Sequence, residues 1–274
     1  MILAVDVGNS NTTVGLFNGT GELLFRALLE TSRSKTRDQC AIELLGVFQL
    51  YGADACTVDG AILSSVVPPL NMALMATPAR TITEGVAPRR REMTGTPPMV
   101  VGPGIRTGLN IKAEIHNQLG SDIVASSVAA IAKYPSPIVM VDMGTATSLS
   151  LIVGSVYEGC IIMPGLALAL DALSERAAAL PPISIETASP VGLMGHTTEE
   201  AMRSGVLYGH ASMVDGMLER IEESIGQSVT TVATGGNAPR ILRYCKRPIQ
   251  YDADLIMTGL YLLYQKNAKK YRKA

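Results

Sequence analysis

The same order of elements occurs twice in this chain, and this repeat limits the possible fold more than any other feature. In the first half, the apolar strand at residues 2–5 runs into the polar turn DVGNSNTT at 6–13. In the second half, the apolar stretch 137–141 runs into DMGTAT at 142–147. A hairpin, a helix, a further strand and a turn of small residues come next in both halves. This duplication predicts two similar α/β domains that face each other across a cleft.

Hydrophobic periodicity and capping residues predict the other elements. Further strands are expected at residues 14–17, 22–28, 60–63, 148–153, 156–161 and 230–233. Helices are expected at 36–52, 124–133, 197–224 and 253–270. The long helix begins with a capping box, Thr197 and Glu200. The glycine-bearing stretch 97–110 is expected to line the cleft.

Composition agrees with two globular domains and excludes several classes of protein. The chain has 274 residues, of which 47% are hydrophobic and 17% charged, so it is not a disordered chain. The net charge of −1 argues against a nucleic-acid partner, which needs a basic surface. The apolar stretch 161–170 is interrupted by Pro164 and Gly165, well short of a membrane span of about 18 apolar residues.

Two further features predict a cytoplasmic protein. Residues 1–6 have no basic segment and reach an acidic residue at once, so we expect no signal peptide here. The four cysteines include no CxxC pair, which is typical of small apolar side chains in a reducing compartment.

The two Asp-x-Gly turns have the composition of phosphate-binding loops. Asp6-Val7-Gly8-Asn9 and Asp142-Met143-Gly144-Thr145 each place a carboxylate at a strand end, beside glycine and hydroxyl or amide side chains. Glycine lets backbone N–H groups approach phosphate oxygens closely, and aspartate binds a cation or positions water. Two such turns in repeated frames can hold a polyphosphate from both sides.

Nine motifs together resemble one enzyme family over nearly the whole chain. They are DVGNSNTT, SSVVPP, GPGIRTGL, DMGTAT, CIIMPG, TTEEAMRSGVLYG, DGML, ATGGNAP and DADLIMTGLYLLY. They occur in the order found in type III pantothenate kinases, which belong to the acetate and sugar kinase, Hsc70 and actin superfamily. The resemblance implies an α/β fold of duplicated ribonuclease H-like (actin-like ATPase) domains, at residues 1–112 and 113–274, around a nucleotide cleft.

The resemblance also implies site residues and cofactors. ATP is expected to contact the first loop and Thr145; the loop residues are Asp6, Val7, Gly8, Asn9, Ser10, Asn11, Thr12 and Thr13. Asp142 matches the aspartate that holds a monovalent cation, K⁺ or NH₄⁺, and Mg²⁺ accompanies the ATP phosphates. The segment 234–236 matches the region near the nucleoside. The family is homodimeric, and the helix glycines Gly205, Gly209 and Gly216 are expected to allow close packing, as at a dimer interface.

Pantothenate is implied as the substrate, with contacts from Thr198 and from the segment that contains the catalytic base. Gly120, Ser121, Asp122 and Ile123 align with the family's Gly-Ala-Asp-Arg, whose aspartate is that base. From the residues alone, a helix N-cap is the more common explanation of an aspartate at such a position.

Ile123 departs from the family pattern, because the arginine at this position binds the carboxylate of the substrate. A charged hydrogen bond of this kind contributes roughly 1.5–3 kcal/mol. Arg106 and Lys112 lie upstream as candidate replacement cations. Two hypotheses are open: a pantothenate kinase that uses another cation, or a relative that is regulatory, only binds nucleotide, or phosphorylates another small alcohol.

Other kinds of site find little support. His116, His196 and His210 have no mutual metal-ligand spacing and are expected to be surface or packing residues. The chain contains neither a GxSxG elbow nor a GxxxxGK[ST] loop. The basic run at 89–91 is expected to be an exposed loop.

Overall fold

The computed structural model describes residues 1–71, 98–112, 119–186 and 191–271. The basic run at 89–91 and His116 lie outside the described residues. In chain order, the strands are β1 (Ile2–Val7), β2 (Asn11–Phe17), β3 (Leu23–Glu30), β4 (Gly60–Ser65), β5 (Met99–Val100), β6 (Asn110–Ile111), β7 (Ile138–Met143), β8 (Ala146–Val153), β9 (Val156–Pro164), β10 (Thr230–Thr234) and β11 (Gln250–Tyr251). The helices are α1 (Arg37–Leu50), α2 (Ser121–Lys133), α3 (Leu166–Arg176), α4 (Thr198–Ile225), α5 (Ala238–Leu242) and α6 (Leu255–Tyr271), with a short 3₁₀ turn at Ala55–Thr57.

The chain divides into two compact units. Unit 1 comprises Met1–Leu109, Glu114–Ala129 and Leu255–Ala274. Unit 2 comprises Asn110–Ala113 and Ala130–Asp254. The sequence predicts a domain boundary between residues 112 and 113. That boundary puts the first turns of α2 and all of α6 in the C-terminal domain, whereas in the structure they belong to unit 1. Compactness places them in unit 1, since α6 packs against β1 and β4.

Unit 1 is built on a five-stranded sheet in the order β3-β2-β1-β4-β5. All six residues of β1 are buried, as expected for a central strand. This strand pairs antiparallel with β2 and parallel with β4. Leu3 and Val5 share a core with Leu44 and Phe48 of α1, so that helix covers the sheet with its apolar stripe.

Unit 2 repeats this arrangement in a six-stranded sheet, ordered β11-β10-β7-β8-β9-β6. Its central strand β7 pairs antiparallel with β8 and parallel with β10, as β1 does with β2 and β4. Val139 and Val141 of β7 share a core with Val206, Val214 and Leu218 of α4. The same strand order in both units confirms the predicted duplication.

Side-chain caps place the helix starts where the sequence predicts them. Thr36 and Gln39 form a capping box at the start of α1, and Thr197 and Glu200 form one at the start of α4. α4 ends at Gly226, whose φ of 69° is the left-handed conformation that glycine adopts at low cost. Local patterns contain no signal for α3, α5, β5, β6 and β11, most of which are very short.

The backbones of α2 and α6 approach closely at a glycine. A Cβ atom at Gly259 would lie 1.8 Å from the carbonyl oxygen of Ala125 and 2.4 Å from its carbonyl carbon. Both are backbone atoms, so neither can rotate away. Gly259 therefore lets the last helix of unit 1 pack against the start of α2.

Substituting two helix glycines of unit 1 tests this contact. We expect Gly259→Ala to lower the free energy of unfolding by roughly 1–3 kcal/mol, since the new methyl group overlaps backbone. Gly46→Ala is the matched control, because no described heavy atom lies within 4 Å of a Cβ added there on α1. We expect it to raise stability by roughly 0.5–1 kcal/mol through helix propensity. Urea titrations measure both values, and equal effects would contradict the close contact.

Candidate active site

The first predicted phosphate loop is the tight turn between the antiparallel strands β1 and β2. It lies at the edge of the sheet where β1 and its parallel neighbour β4 both end. The register of β1 and β4 places Asp6 beside Ser64 and Val7 beside Ser65. The loop closes as the Gly8 N–H donates to the Asn11 carbonyl over 2.9 Å. The carboxyl ends of parallel strands are the common location of ligand sites in α/β sheets. The loop therefore lies where such a site is expected.

Side chains of this loop differ in their availability to a ligand. Asn9, Ser10 and Asn11 are exposed at its tip. Thr12 is buried, and its Oγ1 lies 2.8 Å from the Oγ1 of Thr31. Thr12 therefore holds the loop against the start of the segment after β3, whereas the tip presents polar groups to solvent.

Asp122 lies at the start of α2, in the same unit as this loop. A Cβ atom at Gly120 would lie 2.2 Å from Asp122 Oδ1, so a side chain at position 120 would require the carboxylate to rotate from this position. The Ile123 N–H donates to Oδ1 over 2.8 Å. Burial raises the pKa of Asp122 above its ordinary value, and the backbone N–H groups of Ile123 and Asp122 oppose this effect. A carboxylate of raised pKa is a better proton acceptor near neutral pH.

The second predicted phosphate loop occupies the equivalent strand ends of unit 2. Asp142 pairs with Thr234 across the parallel strands β7 and β10, and the Gly144 N–H donates to the Ala146 carbonyl over 3.0 Å. The neighbouring Gly235 has a φ of +92°, and a Cβ atom on it would lie 2.7 Å from Asp142 Oδ1. The segment 234–236 thus packs directly on the turn, and its predicted position near the nucleoside stays a prediction.

Two contacts that local sequence patterns do not predict pack residues from other elements against this second turn. A Cβ atom at Gly165, just before α3, would lie 2.3 Å from the carbonyl oxygen of Thr145. Nε2 of His210 on α4 lies 2.8 Å from Oγ1 of Thr147, and both residues are buried. Burial lowers the pKa of His210, which favours the neutral imidazole. His210 is a packing residue, as predicted, and His196 is exposed.

Thr198 is the first residue of α4 and is exposed. It precedes His210 by about three helical turns, or roughly 18 Å along the helix axis. Within unit 2, Thr198 therefore does not lie beside the phosphate turn that His210 contacts. Within unit 1 the structure brings Gly120–Ile123 to the edge of the sheet that holds the first loop, and within unit 2 it brings 234–236 to Asp142.

The two candidate replacement cations, Arg106 and Lys112, each make contacts within their own unit. Lys112 forms an ion pair with Glu158, near the start of β9. The phosphate turn lies at the other end of β9, where Pro164 pairs with Ala146, so Lys112 is far from that turn. The Arg106 backbone exchanges two hydrogen bonds with the side chain of Asn267 on α6, at 2.9 and 3.0 Å.

Arg106 consequently lies at the wrong end of the sheet to replace the missing arginine. One turn before Asn267, Tyr264 packs its hydroxyl against Gly60, the first residue of β4. Ser64 lies four residues further along β4, or roughly 13 Å at about 3.3 Å per residue, and Asp6 pairs with it on β1. The structure gives no support to Arg106 as a partner for a ligand at these strand ends.

Asp142 provides a suitable environment for a hard cation. Among the described residues, no cluster of three or more His, Cys, Asp or Glu side chains forms a metal site. However, Gly235 has no side chain, and a Cβ atom there would occupy the space next to Asp142 Oδ1. The backbone oxygen of Met143 borders the same space. Carboxylate and carbonyl oxygens are the ligands that K⁺ and Mg²⁺ prefer.

Comparison with known proteins identifies the family of this chain. Residues 2–220 match the sequence profile of the type III pantothenate kinase family. The chain is 38% identical to a type III pantothenate kinase of Exiguobacterium sp. over 98% of this chain and 100% of that protein. It is also 38% identical to one of Halalkalibacterium halodurans over 97% of this chain and 100% of that protein. This chain belongs to the type III pantothenate kinase family.

Solved structures confirm the predicted fold class. The activator of the 2-hydroxyisocaproyl-CoA dehydratase from Clostridium difficile, solved with bound ADPNP, has a TM-score of 0.56 to this chain at 11% identity. The alignment covers 99% of this chain and 97% of that one. Component A of the (R)-2-hydroxyglutaryl-CoA dehydratase of Acidaminococcus fermentans has a TM-score of 0.54 at 12% identity, with 99% and 98% covered. At this level of identity the similarity concerns the fold alone.

No helix in the described part of the chain is both long enough and apolar enough to cross a membrane.

The buried carboxylate of Asp122 predicts a pH-dependent stability difference. Because its folded pKa is raised, ionisation of Asp122 destabilises the fold, and this cost is absent below the unfolded pKa near 3.8. We expect Asp122→Asn to be more stable than the parent at pH 7.5, with the difference shrinking as the pH falls toward 4. Denaturant titrations across this range measure it. Asp38→Asn is the control, since Asp38 lies in the first turn of α1 but is exposed; a gain there of equal size would contradict the assignment.

Proposed function

We propose that this chain transfers the γ-phosphoryl group of ATP to the primary hydroxyl of pantothenate, giving 4′-phosphopantothenate and ADP. This reaction is the first step of coenzyme A biosynthesis. Membership of the family over the whole chain supports the reaction. The observation that carries the chemistry is the position of Asp122, which starts α2 at the strand ends that also hold the first phosphate loop.

Asp122 is the general base in this mechanism. Its carboxylate accepts the proton of the pantothenate hydroxyl as the hydroxyl oxygen attacks the γ-phosphorus. The bond from that phosphorus to the bridging oxygen of ADP breaks, and ADP leaves with the electron pair. Such transfers need positioning and charge neutralisation more than covalent chemistry from the protein. The raised pKa of Asp122 suits proton acceptance.

The two loops divide the binding of ATP. The first loop, residues 6–13, offers exposed amide and hydroxyl groups and backbone N–H groups to the phosphates. Thr145 contributes a further contact from the second loop. Asp142 holds a monovalent cation, K⁺ or NH₄⁺, and Mg²⁺ is bound with the phosphates. These cations neutralise the negative charge that develops during transfer.

Pantothenate contacts Gly120–Ile123 and Thr198, and the enzyme acts as a cytoplasmic homodimer. Thr198 lies exposed at the N-terminus of α4, where its hydroxyl is accessible to a ligand. On the same helix, Gly205, Gly209 and Gly216 have no described heavy atom within 4 Å of an added Cβ. The close packing expected of these glycines is therefore not made by described residues of this chain. A second copy of the chain supplies it in our proposal.

Ile123 favours a second candidate function. The Arg106 backbone is bonded to Asn267, away from the strand ends of unit 1, and Lys112 is paired with Glu158. Under this alternative, the chain keeps the nucleotide loops but phosphorylates another small alcohol or acts as a nucleotide-binding regulator.

An ADP-release assay separates these functions. With ATP, Mg²⁺ and K⁺, we expect ADP formation to depend on added pantothenate, and Asp122→Asn to lower kcat by at least about 100-fold because the base is lost. Nucleotide affinity, measured by calorimetry, should change little in this variant. Asp38→Asn should retain full activity. No pantothenate-dependent turnover by folded protein would refute the kinase, and an active Asp122→Asn would remove Asp122 as the base.

Ile123→Arg tests the missing ion pair. If no other group binds the carboxylate as strongly, this variant should lower the KM for pantothenate by about 10-fold, since a charge-assisted hydrogen bond is added. Ile123→Met is the uncharged control and should leave the KM unchanged. Pantothenyl alcohol, which has no carboxylate, should gain nothing from the arginine. An unchanged KM for pantothenate would mean that its carboxylate is bound elsewhere.

A further inference from the structure

The segment that follows β3, residues 31–35, begins alongside the tip of the first phosphate loop. Beyond the last residue pair of the antiparallel strands β2 and β3, the Thr31 N–H donates to the Ser10 carbonyl over 3.0 Å. The Oγ1 atoms of Thr12 and Thr31 lie 2.8 Å apart. The hydrogen bonds between the two strands therefore continue into the loop. Residues 31–35 start at the edge of the sheet where β1 and β4 also end.

Lys35 anchors the other end of this segment through its side chain. That side chain is only 17% exposed, and its Nζ lies 2.9 Å from the Glu43 carboxylate on α1. The same Nζ donates to the Glu30 carbonyl at the end of β3. The Lys35 N–H donates to the Ser32 carbonyl over 3.3 Å, which closes a four-residue turn. The charge of Lys35 is thus neutralised by a carboxylate, and both ends of the turn are fixed.

Arg33 and Ser34 are the exposed central residues of this turn. No described residue forms an ion pair or a hydrogen bond with the Arg33 side chain. Two residues span at most about 7 Å at about 3.5 Å per residue, so the Cα atom of Arg33 lies within that distance of the Cα atom of Thr31. Since Thr31 contacts the loop directly, the Arg33 guanidinium lies within reach of the exposed loop tip.

The first loop itself supplies no positive charge. Residues 6–13 include one acidic side chain and no basic one, so the hydrogen-bond donors of the loop are all neutral. The ATP phosphates carry several negative charges, and a guanidinium has a planar set of donors that binds two phosphate oxygens at once. Of the neighbouring described cations, Lys35 and Arg37 are each paired with a carboxylate. Arg33 has no such partner among the described residues.

Resting on the function proposed above, we propose that Arg33 binds the ATP phosphates beside the first loop. The guanidinium supplies the positive charge that the loop lacks, and the N–H and hydroxyl groups of the loop supply the neutral hydrogen bonds. The turn that carries Arg33 is anchored at Thr31 and Lys35 without a ligand. Little backbone ordering is therefore required when the phosphates bind.

Three variants separate this contact from a general loss of charge. Arg33→Gln removes the charge but keeps a polar side chain, and Arg33→Lys keeps the charge without the planar set of donors. Arg26→Gln is the matched control, because it lowers the net charge of the same unit by the same amount. Arg26 is exposed on β3, four residues before the end of that strand, or roughly 13 Å at about 3.3 Å per residue.

Calorimetry with a non-hydrolysable ATP analogue and Mg²⁺ tests the proposal without turnover. We expect Arg33→Gln to raise the Kd of the analogue by about 10-fold or more, since a charge-assisted hydrogen bond is lost. Arg33→Lys should raise it less, and Arg26→Gln should leave it within about twofold. The Kd of adenosine, which has no phosphate, should not change in an NMR titration. Equal Kd values of the analogue for the parent and Arg33→Gln, or an equal loss for adenosine, would overturn the proposal.

Steady-state kinetics distinguish the nucleotide from pantothenate as the ligand of Arg33. We expect Arg33→Gln to raise the KM for ATP while the KM for pantothenate stays within about twofold. A rise in the KM for pantothenate alone, with nucleotide affinity unchanged, would place the guanidinium at the substrate carboxylate and overturn the proposal. If the folded parent binds the analogue but shows no pantothenate-dependent turnover, the kinase proposal fails, and the Kd values alone decide the role of Arg33.

Discussion

The parallel pairing of each central strand with one neighbour is the constraint on which both candidate loops depend. Parallel strands end at the same edge of a sheet. In unit 1 this brings the end of β1, with Asp6, beside the end of β4, with Ser64. In unit 2 it brings Asp142 beside Thr234. The antiparallel hairpin after each central strand then turns at that edge, so each Asp-x-Gly turn lies next to the small residues that end the neighbouring strand.

Close backbone contacts at a few glycines make these edges possible. Gly120 leaves room for the Asp122 carboxylate, and Gly235 leaves room for that of Asp142. Gly259 allows α6 to pack directly on α2 at Ala125, three residues after Asp122, and this contact helps to fix the position of α2. A side chain would overlap backbone atoms at positions 235 and 259, and at position 120 it would displace the Asp122 carboxylate. The sequence contains 26 glycines, and only the structure distinguishes these three from Gly46, which lies in open space.

Much of the fold was predictable from local patterns. The apolar runs predicted β1 and β7, and the capping box of Thr197 and Glu200 predicted the start of α4, because these signals depend on residues close in sequence. The family motifs predicted the residues of both loops and of the candidate base, and the structure brings Gly120–Ile123 to the first loop. The roles of these residues stay predictions. The two-residue strands were not predictable, since their pairing rests on register rather than on a pattern of their own.

The sequence by itself determined the duplication, the two Asp-x-Gly turns and the family. Tertiary structure decided what depends on contacts between distant residues. It placed Arg106 at the far end of β4 from Asp6, and it paired Lys112 with Glu158, although both cations precede Asp122 by only a short stretch of sequence. It also gave Ser121 a partner 57 residues away at Ser64. Such a hydrogen bond requires one strand register and one helix position, and no local pattern in the sequence encodes either.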